Sequence, residues 1–491
     1  MSALRSRQGW FVFCAAILGG CAVGPDYHKP AVATPTEWKA GAPWKTAEPR
    51  DRAIKENWWE VYKDPVLTGI ELQARTNSPD VQAAFARVEQ ARAVARISRA
   101  DLFPTVTADP SAIRERYNQN RVVQPESTSS TYAYTANDFT LPLDLSYEVD
   151  LWGRVRRSFR SARAQSQASA AAYQNVLLTL QAEIAESYFV LRSTDLERRV
   201  VAEGIELRKR NLDMVDSLHT GGAATALDVA RAQTELASAQ AELVGLDLQR
   251  SKLVNSIGVL CGQGASSFSI LETTRTYRAP TIPAALASEL LERRPDVAQA
   301  ERSMAAASEQ IGVARAAYFP SIRLTGAAGV ESMDLKTLFN WESREWEFGP
   351  SVSLPLFEGG RIRAGVAQAK AAYEGSVAQY RSQVLVAFRE VEDGLLSARL
   401  LKEQFETQLR AVEGAKKAAE ISLIRFKEGL SSYFEVVDAD RTFLENEITA
   451  YGLNGQGMVN SVQLIKAMGG GWKPDDAYRT GRVKPSDPAR H

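Results

Sequence analysis

The clearest pattern in this chain is a series of apolar residues at alternating steps of three and four, the spacing of one helix face. The series runs through Tyr373, Val377, Tyr380, Val384, Phe388, Val391 and Leu395. It breaks at Gly429 and resumes from Val436 towards Leu464. This predicts a helical hairpin with its turn at Gly429. A first arm of roughly 65 residues would measure on the order of 100 Å, so its apolar stripe needs neighbouring helices of the same length.

The hairpin occurs twice. Matching residues lie 207 positions apart in pairs such as Arg154 and Arg361, Tyr173 and Tyr380, Gly222 and Gly429, and Gly262 and Gly469. Upstream the separation is 216, and Pro79, Asp80, Phe103 and Pro104 reappear as Pro295, Asp296, Phe319 and Pro320. The difference is absorbed between these blocks, where 114–137 and 330–344 are a longer and a shorter version of one loop. We therefore interpret the chain as a tandem duplication.

Between its helices each copy contains two segments that alternate in polarity, which predicts strands. They lie at about 103–116 and 139–149 in the first copy, and at about 320–330 and 346–356 in the second. Aromatic residues near their ends suit the interface of a membrane. Four strands are too few to close a barrel around an open lumen, so membrane insertion requires several copies. The alternative is a soluble β-hairpin packed on helices.

The amino terminus has the features of a targeting segment. Arg5 and Arg7 precede an apolar run at 10–18, which is too short to span a bilayer, and Leu18-Gly-Gly-Cys21 follows. Residues 1–20 are predicted to be a signal peptide, and the proline-rich 21–57 an extended segment. Removing the signal takes two of the 59 basic residues and none of the 59 acidic ones. The resulting charge near −2 argues against a nucleic-acid partner.

The sequence offers no pattern for catalysis. It contains no HExxH, CxxC, GxSxG or P-loop motif, and its three histidines are scattered. We predict no enzyme activity, no catalytic or metal-ligating residues and no cofactor other than the lipid described below. After processing, Cys261 is the only cysteine besides Cys21, so it is expected to be a packed side chain and not part of a disulfide.

Several motifs together carry a family resemblance. They are Leu18-Gly-Gly-Cys21, Cys21-Ala-Val-Gly-Pro-Asp-Tyr27, Asp150-Leu-Trp-Gly-Arg154, Gly429-Leu-Ser-Ser-Tyr433 and Met468-Gly-Gly-Gly-Trp472. The first resembles the lipobox of bacterial lipoproteins, which implies diacylglycerol and palmitoyl groups on Cys21. The ordered set, from Cys21 to Trp472, resembles the lipoprotein branch of the outer membrane factor family, the TolC-like and OprM-like (NodT-like) ducts of efflux pumps.

The resemblance implies an α+β membrane protein. Three copies would share one 12-stranded β-barrel, with four strands from each chain, continued into the periplasm by a long antiparallel α-helical barrel. The expected segments are a signal peptide (1–20), an acylated extended segment (21–57), a first repeat (58–262), an equatorial connector (263–285), a second repeat (286–471) and a flexible tail (472–491).

The implied function is that of an outer membrane exit duct in a tripartite efflux pump. Small molecules would pass from an inner-membrane transporter of the RND type, with a periplasmic adaptor, through a gated homotrimeric tunnel in the lipid-anchored protein. A TolC-like duct for type I protein secretion and a periplasmic coiled-coil lipoprotein scaffold without a pore are the alternatives. The sequence does not specify the cargo, because the selective pump is another protein.

The hairpin turns are the predicted site. Gly222, Gly429, Leu430 and Ser431 are expected to contact the adaptor. By the resemblance, Asp228, Glu435 and Asp438 line a periplasmic gate, where crowded carboxylates would attract cations. The alternative is that these acids complement the positive amino-terminal ends of their helices. Whether Arg231 and Arg441 pair with the acids stays open. Ser431 stands where well-known members have an arginine, so an arginine latch is not expected here.

Overall fold

A computed structural model of the chain describes residues 22–30, 57–118, 133–280, 282 and 293–470. The predicted signal peptide, Cys21, most of the extended segment and the tail lie outside these residues. In chain order the principal elements are α1 (Pro65–Asn77), α2 (Pro79–Ala100), β1 (Thr105–Ala108), β2 (Ser111–Tyr117), β3 (Tyr134–Val149), α3 (Arg154–Thr220), α4 (Ala226–Leu260), α5 (Pro295–Ala316), β4 (Ser321–Ser332), β5 (Arg344–Ser353), α6 (Arg361–Lys427) and α7 (Tyr433–Ala467).

The two copies have helices of equal length. The long arms α3 and α6 contain 67 residues each, the return arms α4 and α7 contain 35 each, and α2 and α5 contain 22 each. Both predicted hairpins are confirmed, with turns after Thr220 and Lys427. Among the helices that the structure describes, none combines the length and the hydrophobicity of a transmembrane span.

The chain divides into two compact units. The first comprises Met1–Pro30, Glu89–Ser166 and Glu301–Gln379, and the second Ala31–Val88, Gln167–Ala300 and Tyr380–His491. The first unit contains the sheet, and the second contains both hairpin turns.

The sheet of the first unit is antiparallel, in the order β1-β3-β4-β5, and β2 also pairs with β3. Thr105 pairs with Ser146 and Ser111 with Thr140, so β1 and β2 follow one another along the same edge of β3. The prediction of one strand at about 103–116 is therefore wrong in detail, because the strand is interrupted at Pro110. A proline has no N–H to contribute to the ladder. The sheet remains four strands wide.

Two other strand boundaries differ from the prediction. β3 begins at Tyr134 instead of at about residue 139, because its first residues pair with β2 as far as Tyr117. β5 covers Arg344–Ser353, whereas the expected segment was about 346–356. Pro355 follows shortly after the strand, where a missing N–H limits further pairing.

The core of the second unit is formed around the middle of α3. Ile184, Tyr188, Phe189 and Leu191 are fully buried there. The ring of Phe189 lies 4.6 Å from that of Tyr62 and 5.6 Å from that of Tyr277 (centroid distances). The hydroxyl groups of Tyr188 and Tyr277 both donate to Asp64, whose carboxylate also caps α1. The aromatic cluster thus connects three separate parts of the chain.

The predicted connector is described from residue 263 to residue 280, without regular secondary structure. Arg192 donates to the carbonyl of Leu271, and Arg250 to that of Ile270, each at 2.7 Å. The buried carboxylate of Asp195 accepts from both guanidinium groups, at 2.8 and 2.7 Å. This network fastens the connector to α3 and α4.

Corresponding glycines follow α4 and α7. Gly262 has φ +71° and Gly469 has φ +91°. A Cβ on Gly262 would lie 2.4 Å from the carbonyl oxygen of Asn77, and one on Gly469 would lie 2.2 Å from that of Arg293. Both positions therefore require glycine, for conformation and for space. The two helices end just before these glycines, at Leu260 and Ala467, and Cys261 is buried as expected.

Candidate functional site

The first hairpin turn is closed by backbone hydrogen bonds. Gly222 donates to His219 at 2.9 Å, and Ala223 donates to Leu218 at 2.8 Å. Gly222 has φ +80°, the left-handed conformation that ends many helices. A Cβ on Gly222 would meet no atom within 4 Å, so the turn is open to a partner.

Asp228 forms a capping box at the start of α4. Its side chain accepts from the backbone N–H of Thr225 at 3.0 Å and from the Thr225 hydroxyl at 2.6 Å, while its own N–H donates to Thr225 Oγ1 at 3.3 Å. These hydrogen bonds lower the pKa of Asp228, since they stabilise its charged form. The geometry therefore supports the capping role that the sequence left open, and the gate role stays a prediction.

The second turn has the same backbone geometry without this cap. Gly429 has φ +73° and donates to Phe426 at 2.9 Å. Ser432, which precedes α7, makes no side-chain capping hydrogen bond. Glu435, the counterpart of Asp228, is exposed. Its backbone N–H donates to the carbonyl of Ser432 at 3.2 Å, whereas its carboxylate has no hydrogen bond or ion pair among the described residues. One tip therefore presents a carboxylate engaged in a cap, and the other presents a carboxylate open to solvent.

The two arginines near the tips have different partners. Arg441 forms an ion pair with Asp438 at 2.9 Å, in which the Asp438 side chain is 52% exposed. The guanidinium of Arg231 lies 5.3 Å from the centre of the Phe434 ring, within cation–π distance. The positive charge of Arg231 adds to the effect of the Thr225 hydrogen bonds in lowering the pKa of Asp228. The pairing that the sequence left open is thus realised for Arg441 and Asp438.

The predicted adaptor contacts of the second tip differ in exposure. Leu430 is 69% exposed, whereas the Ser431 hydroxyl oxygen is buried and has no hydrogen-bond partner within the described chain. Beside the tips, an open groove of about 330 Å³ lies between α4 and α7, and its lining includes Leu227, Phe434 and Asp438. The tip region therefore combines exposed apolar side chains with charges of both signs.

Beneath this surface the two hairpins share one apolar cluster. Val215 and Ala232 from the first hairpin pack with Tyr433 and Val436 from the second. Phe426 extends the cluster, with its ring 5.4 Å from that of Tyr433. Any motion that separates the two tips must therefore expose this cluster to water.

Asp440 is a tip residue that the sequence reasoning missed. Its Oδ2 accepts from Asn211 Nδ2 at 3.2 Å, so it links α7 to α3. Burial raises its pKa from 3.8 to about 6, although the nearby Arg208 and the Asn211 hydrogen bond act in the opposite direction. A signal was present, because Asp440 continues the apolar series of Tyr433 and Val436 towards Leu444. An acid on an apolar stripe is unusual.

A metal site is not formed by any group of His, Cys, Asp or Glu within the described ranges. The described tips instead consist of a capped turn, an uncapped turn, an acidic face on α7 and an apolar cluster below.

The described fold contains two pairs of long helices and an antiparallel sheet. The family model of the outer membrane efflux protein matches residues 72–263 and 286–470, one segment in each repeat. The chain therefore belongs to this family, and it is an outer membrane efflux protein. The predicted family, the role in efflux and the outer membrane location are confirmed, while the acylation, the trimer and the gate stay predictions.

Two similar proteins agree with this assignment. The probable efflux pump outer membrane protein TtgC of Pseudomonas putida is 32% identical over 461 residues, which cover 93% of this chain and 94% of that protein. The pyoverdine export outer membrane protein OpmQ of Pseudomonas aeruginosa is 32% identical over 464 residues, which cover 94% and 96%.

Solved structures show the same fold. The outer-membrane channel OprN is 30% identical, with a TM-score of 0.83 and coverage of 92% of this chain and 99% of that one. The open state of the MtrE outer membrane channel of Neisseria gonorrhoeae is 26% identical, with a TM-score of 0.81 and coverage of 92% and 99%. The helices and sheet of this chain are thus those of an outer membrane channel.

Proposed function

We propose that the protein is the exit duct of a tripartite efflux pump, and that three copies form one gated tunnel. The observation that carries the assembly is the state of the sheet edges. On one side β1 and β2, and on the other β5, have no further partner strand among the described residues. Unpaired edges invite pairing with another chain. β5 also exposes large apolar side chains, including Trp346 at 81%.

The strand directions support closure by copies of the same chain. Successive strands across the sheet are antiparallel, so β5 runs opposite to β1 and β2. The β5 edge of one copy can therefore pair in the antiparallel sense with the β1 and β2 edge of the next. Three copies would contribute twelve strands, enough to enclose a lumen, whereas four strands are not.

The long helices also need cover. Leu248 and Val259 on α4, and Leu385, Leu409 and Ile424 on α6, are exposed in a single copy. Exposed apolar residues along helices of this length favour packing against neighbouring helices. We propose that the three copies bury these residues in one antiparallel helical barrel that extends into the periplasm.

The proposed anchor and partners complete the pump. Cys21, which lies outside the described residues, would carry diacylglycerol and palmitoyl groups and hold the protein in outer membrane lipid. A periplasmic adaptor would contact Gly222, Gly429, Leu430 and Ser431, and would connect the duct to an inner-membrane transporter of the RND type. In this role the protein conducts cargo, without catalysis or a further cofactor.

We assign the gate to Asp228, Glu435 and Asp438. The exposed positions of Glu435 and Asp438, three residues apart on α7, support this role, because three copies would present six carboxylates together. The capping hydrogen bonds of Asp228 favour a second role, in which this residue holds the first tip in shape. Opening by an adaptor requires that the adaptor bind the open arrangement more tightly than the closed one.

The assembly is tested with the purified full-length protein in detergent and in planar bilayers. We expect a trimer by native mass spectrometry and discrete single-channel conductance. A monomeric protein without conductance would rule out the proposed duct.

The gate is tested by isosteric removal of charge. The double variant Glu435→Gln/Asp438→Asn is expected to lower the preference of the channel for cations, while Asp393→Asn, an exposed acid on α6, should not. Thr225→Ala separates the two roles of Asp228, since it weakens the cap and keeps the carboxylate. If the double variant has the conductance and ion selectivity of the wild type, these two residues do not belong to the gate.

A further inference from the structure

The amino-terminal segment 22–30 contains the Gly-Pro-Asp-Tyr motif, to which the channel function assigns no role. In the first unit this segment lies against the end of β3 and the start of α3. The N–H of Val23 donates to the carbonyl of Trp152 at 3.0 Å. A Cβ on Gly153 would lie 3.0 Å from that of Ala22, so the two backbones are in close contact. The first two residues of the segment, Ala22 and Val23, are therefore in direct contact with the turn between β3 and α3.

Arg157 holds the next residues. Its side chain, in the first turn of α3, is only 2% exposed. One terminal nitrogen donates to the carbonyl of Pro25 at 3.1 Å and to Glu309 at 2.9 Å, and the other donates to the carbonyl of Gly24 at 3.3 Å. A buried guanidinium requires such acceptors, because its N–H groups are costly to leave unpaired away from water. Two of its acceptors belong to the amino-terminal segment.

Tyr27 makes a second attachment. Its hydroxyl donates to Glu301 Oε1 at 2.7 Å, and its ring packs on a small cluster formed by Ala164, Ala305 and Ala306. The alanines leave room between α3 and α5 for the aromatic ring. The segment is thus fixed at Val23, at Gly24-Pro25 and at Tyr27.

Two glycines permit this close approach. Gly24 has φ +133°, and a Cβ there would lie 2.7 Å from the Cα of Gly312. A Cβ on Gly312 would in turn lie 2.1 Å from the Cδ of Arg157. The structure therefore explains why the motif has glycine at position 24, since any larger residue would lift the segment away from α5.

We propose that Arg157, Gly312 and Glu301 form a docking site for the amino-terminal segment, and that docking sets the place where the acylated terminus enters the membrane. Ala22 lies beside the turn between β3 and α3, where Trp152 stacks on Phe319 at 4.6 Å. Aromatic side chains of this kind favour the membrane–water interface. Arg157 is a positioning residue in this scheme, which rests on the proposed acylation of Cys21.

A docked segment and a free tether differ in how far they let the lipid anchor move. A proline-rich linker that is not docked would let the anchor sample many positions around the protein. Docking of residues 22–27 removes this freedom, and it holds the lipid at one end of the sheet in every copy.

The sharpest test is Gly24→Ala in the full-length acylated protein, followed by hydrogen exchange. We expect residues 22–27 to be protected in the wild type and to exchange at least about tenfold faster in the variant, the factor for loss of one hydrogen bond of about 1.4 kcal/mol. Peptides from α3 and α5 should keep their exchange rates, whereas a role limited to helix packing would change them as well. Gly359→Ala is the matched control, because Gly359 also has positive φ and a Cβ there would meet nothing within 4 Å.

A second pair of variants examines the positioning residue. Arg157→Met keeps the aliphatic stem and should release the segment, while Arg157→Lys retains a charge and should restore part of the protection. Equal exchange in the wild type and Gly24→Ala, or an unprotected segment in the wild type, would overturn the docking. The mass of the amino-terminal peptide reports acylation separately. An unmodified Cys21 would overturn the anchoring role, while conductance measured on the same sample shows whether the duct itself stands.

Discussion

Replacing Asp440 by asparagine tests whether the buried charge of Asp440 destabilises the hairpin tips at neutral pH. The carboxylate of Asp440 accepts a hydrogen bond from Asn211 and lies near Arg208, yet burial raises its pKa from 3.8 to about 6. The folded tip therefore binds a proton more tightly than the unfolded chain. Stability from this group is fully present below about pH 4 and is lost as pH rises through about 6. We expect Asp440→Asn to stabilise the tip at pH 7.5 and to have little effect near pH 4.

The magnitude follows from the same shift. A rise from 3.8 to about 6 corresponds to at most about 3 kcal/mol between the two protonation states. Asp440 remains partly exposed, and solvent screening reduces the effect to about 1 to 2 kcal/mol. Local opening of the tip should then be about 5 to 30 times rarer in the variant at pH 7.5.

Hydrogen exchange is the appropriate assay, because it reports local opening and does not need a single transition for the whole protein. Exchange of a peptide from the first turns of α7 is compared between wild type and variant at pH 7.5 and at a pH near 4. Asp213→Asn, an exposed acid on α3 close to the same tip, is the control and should change exchange little. If Asp440→Asn accelerates exchange at pH 7.5, attraction to Arg208 outweighs burial and the reasoning is wrong.

Three further variants address packing and buried charge. Glu71 is buried, both of its carboxylate oxygens lack hydrogen-bond partners in the described residues, and burial raises its pKa well above the usual value. At a pH above 7, Glu71→Gln should therefore raise the midpoint temperature of thermal unfolding, and a lower midpoint would contradict this. Gly329→Ala places a Cβ 2.6 Å from the carbonyl oxygen of Leu141 and should destabilise the sheet by about 1 to 3 kcal/mol, so that the proposed trimer dissociates at a lower temperature on gels, whereas Gly349→Ala, with nothing within 4 Å, should leave that temperature unchanged. Asp195→Ala leaves the buried Arg192 and the partly exposed Arg250 without their shared acceptor and should destabilise the connector by about 3 to 5 kcal/mol in urea unfolding; protease resistance of residues 263–280 equal to the wild type would refute it.

The ends of the hairpins show why part of the site was accessible from sequence. Gly222 and Gly429, together with the break in the apolar series, mark the turns in the sequence, since both signals depend on neighbouring residues alone. The capping box of Thr225 and Asp228 was also visible as a local pattern. The gate role of Asp228, in contrast, rests on the family resemblance and stays a prediction.

Asp440 and Arg157 show where sequence reasoning stopped. The raised pKa of Asp440 comes from burial between hairpins of different repeats. The acceptors of Arg157 lie 132, 133 and 152 positions away along the chain. Neither environment follows from local spacing, because contacts over such distances form only when the elements pack.

The sequence by itself determined the duplication, the paired hairpins, the presence of strands between helices and the family, because periodicity and local turn chemistry are properties of short stretches of chain. Only the tertiary structure decided which strands are neighbours, that Pro110 divides the first strand, and that Gly24 and Tyr27 are seated on α3 and α5. Pairing and burial depend on what distant segments bring to the same place, and that information appears only when the chain is folded.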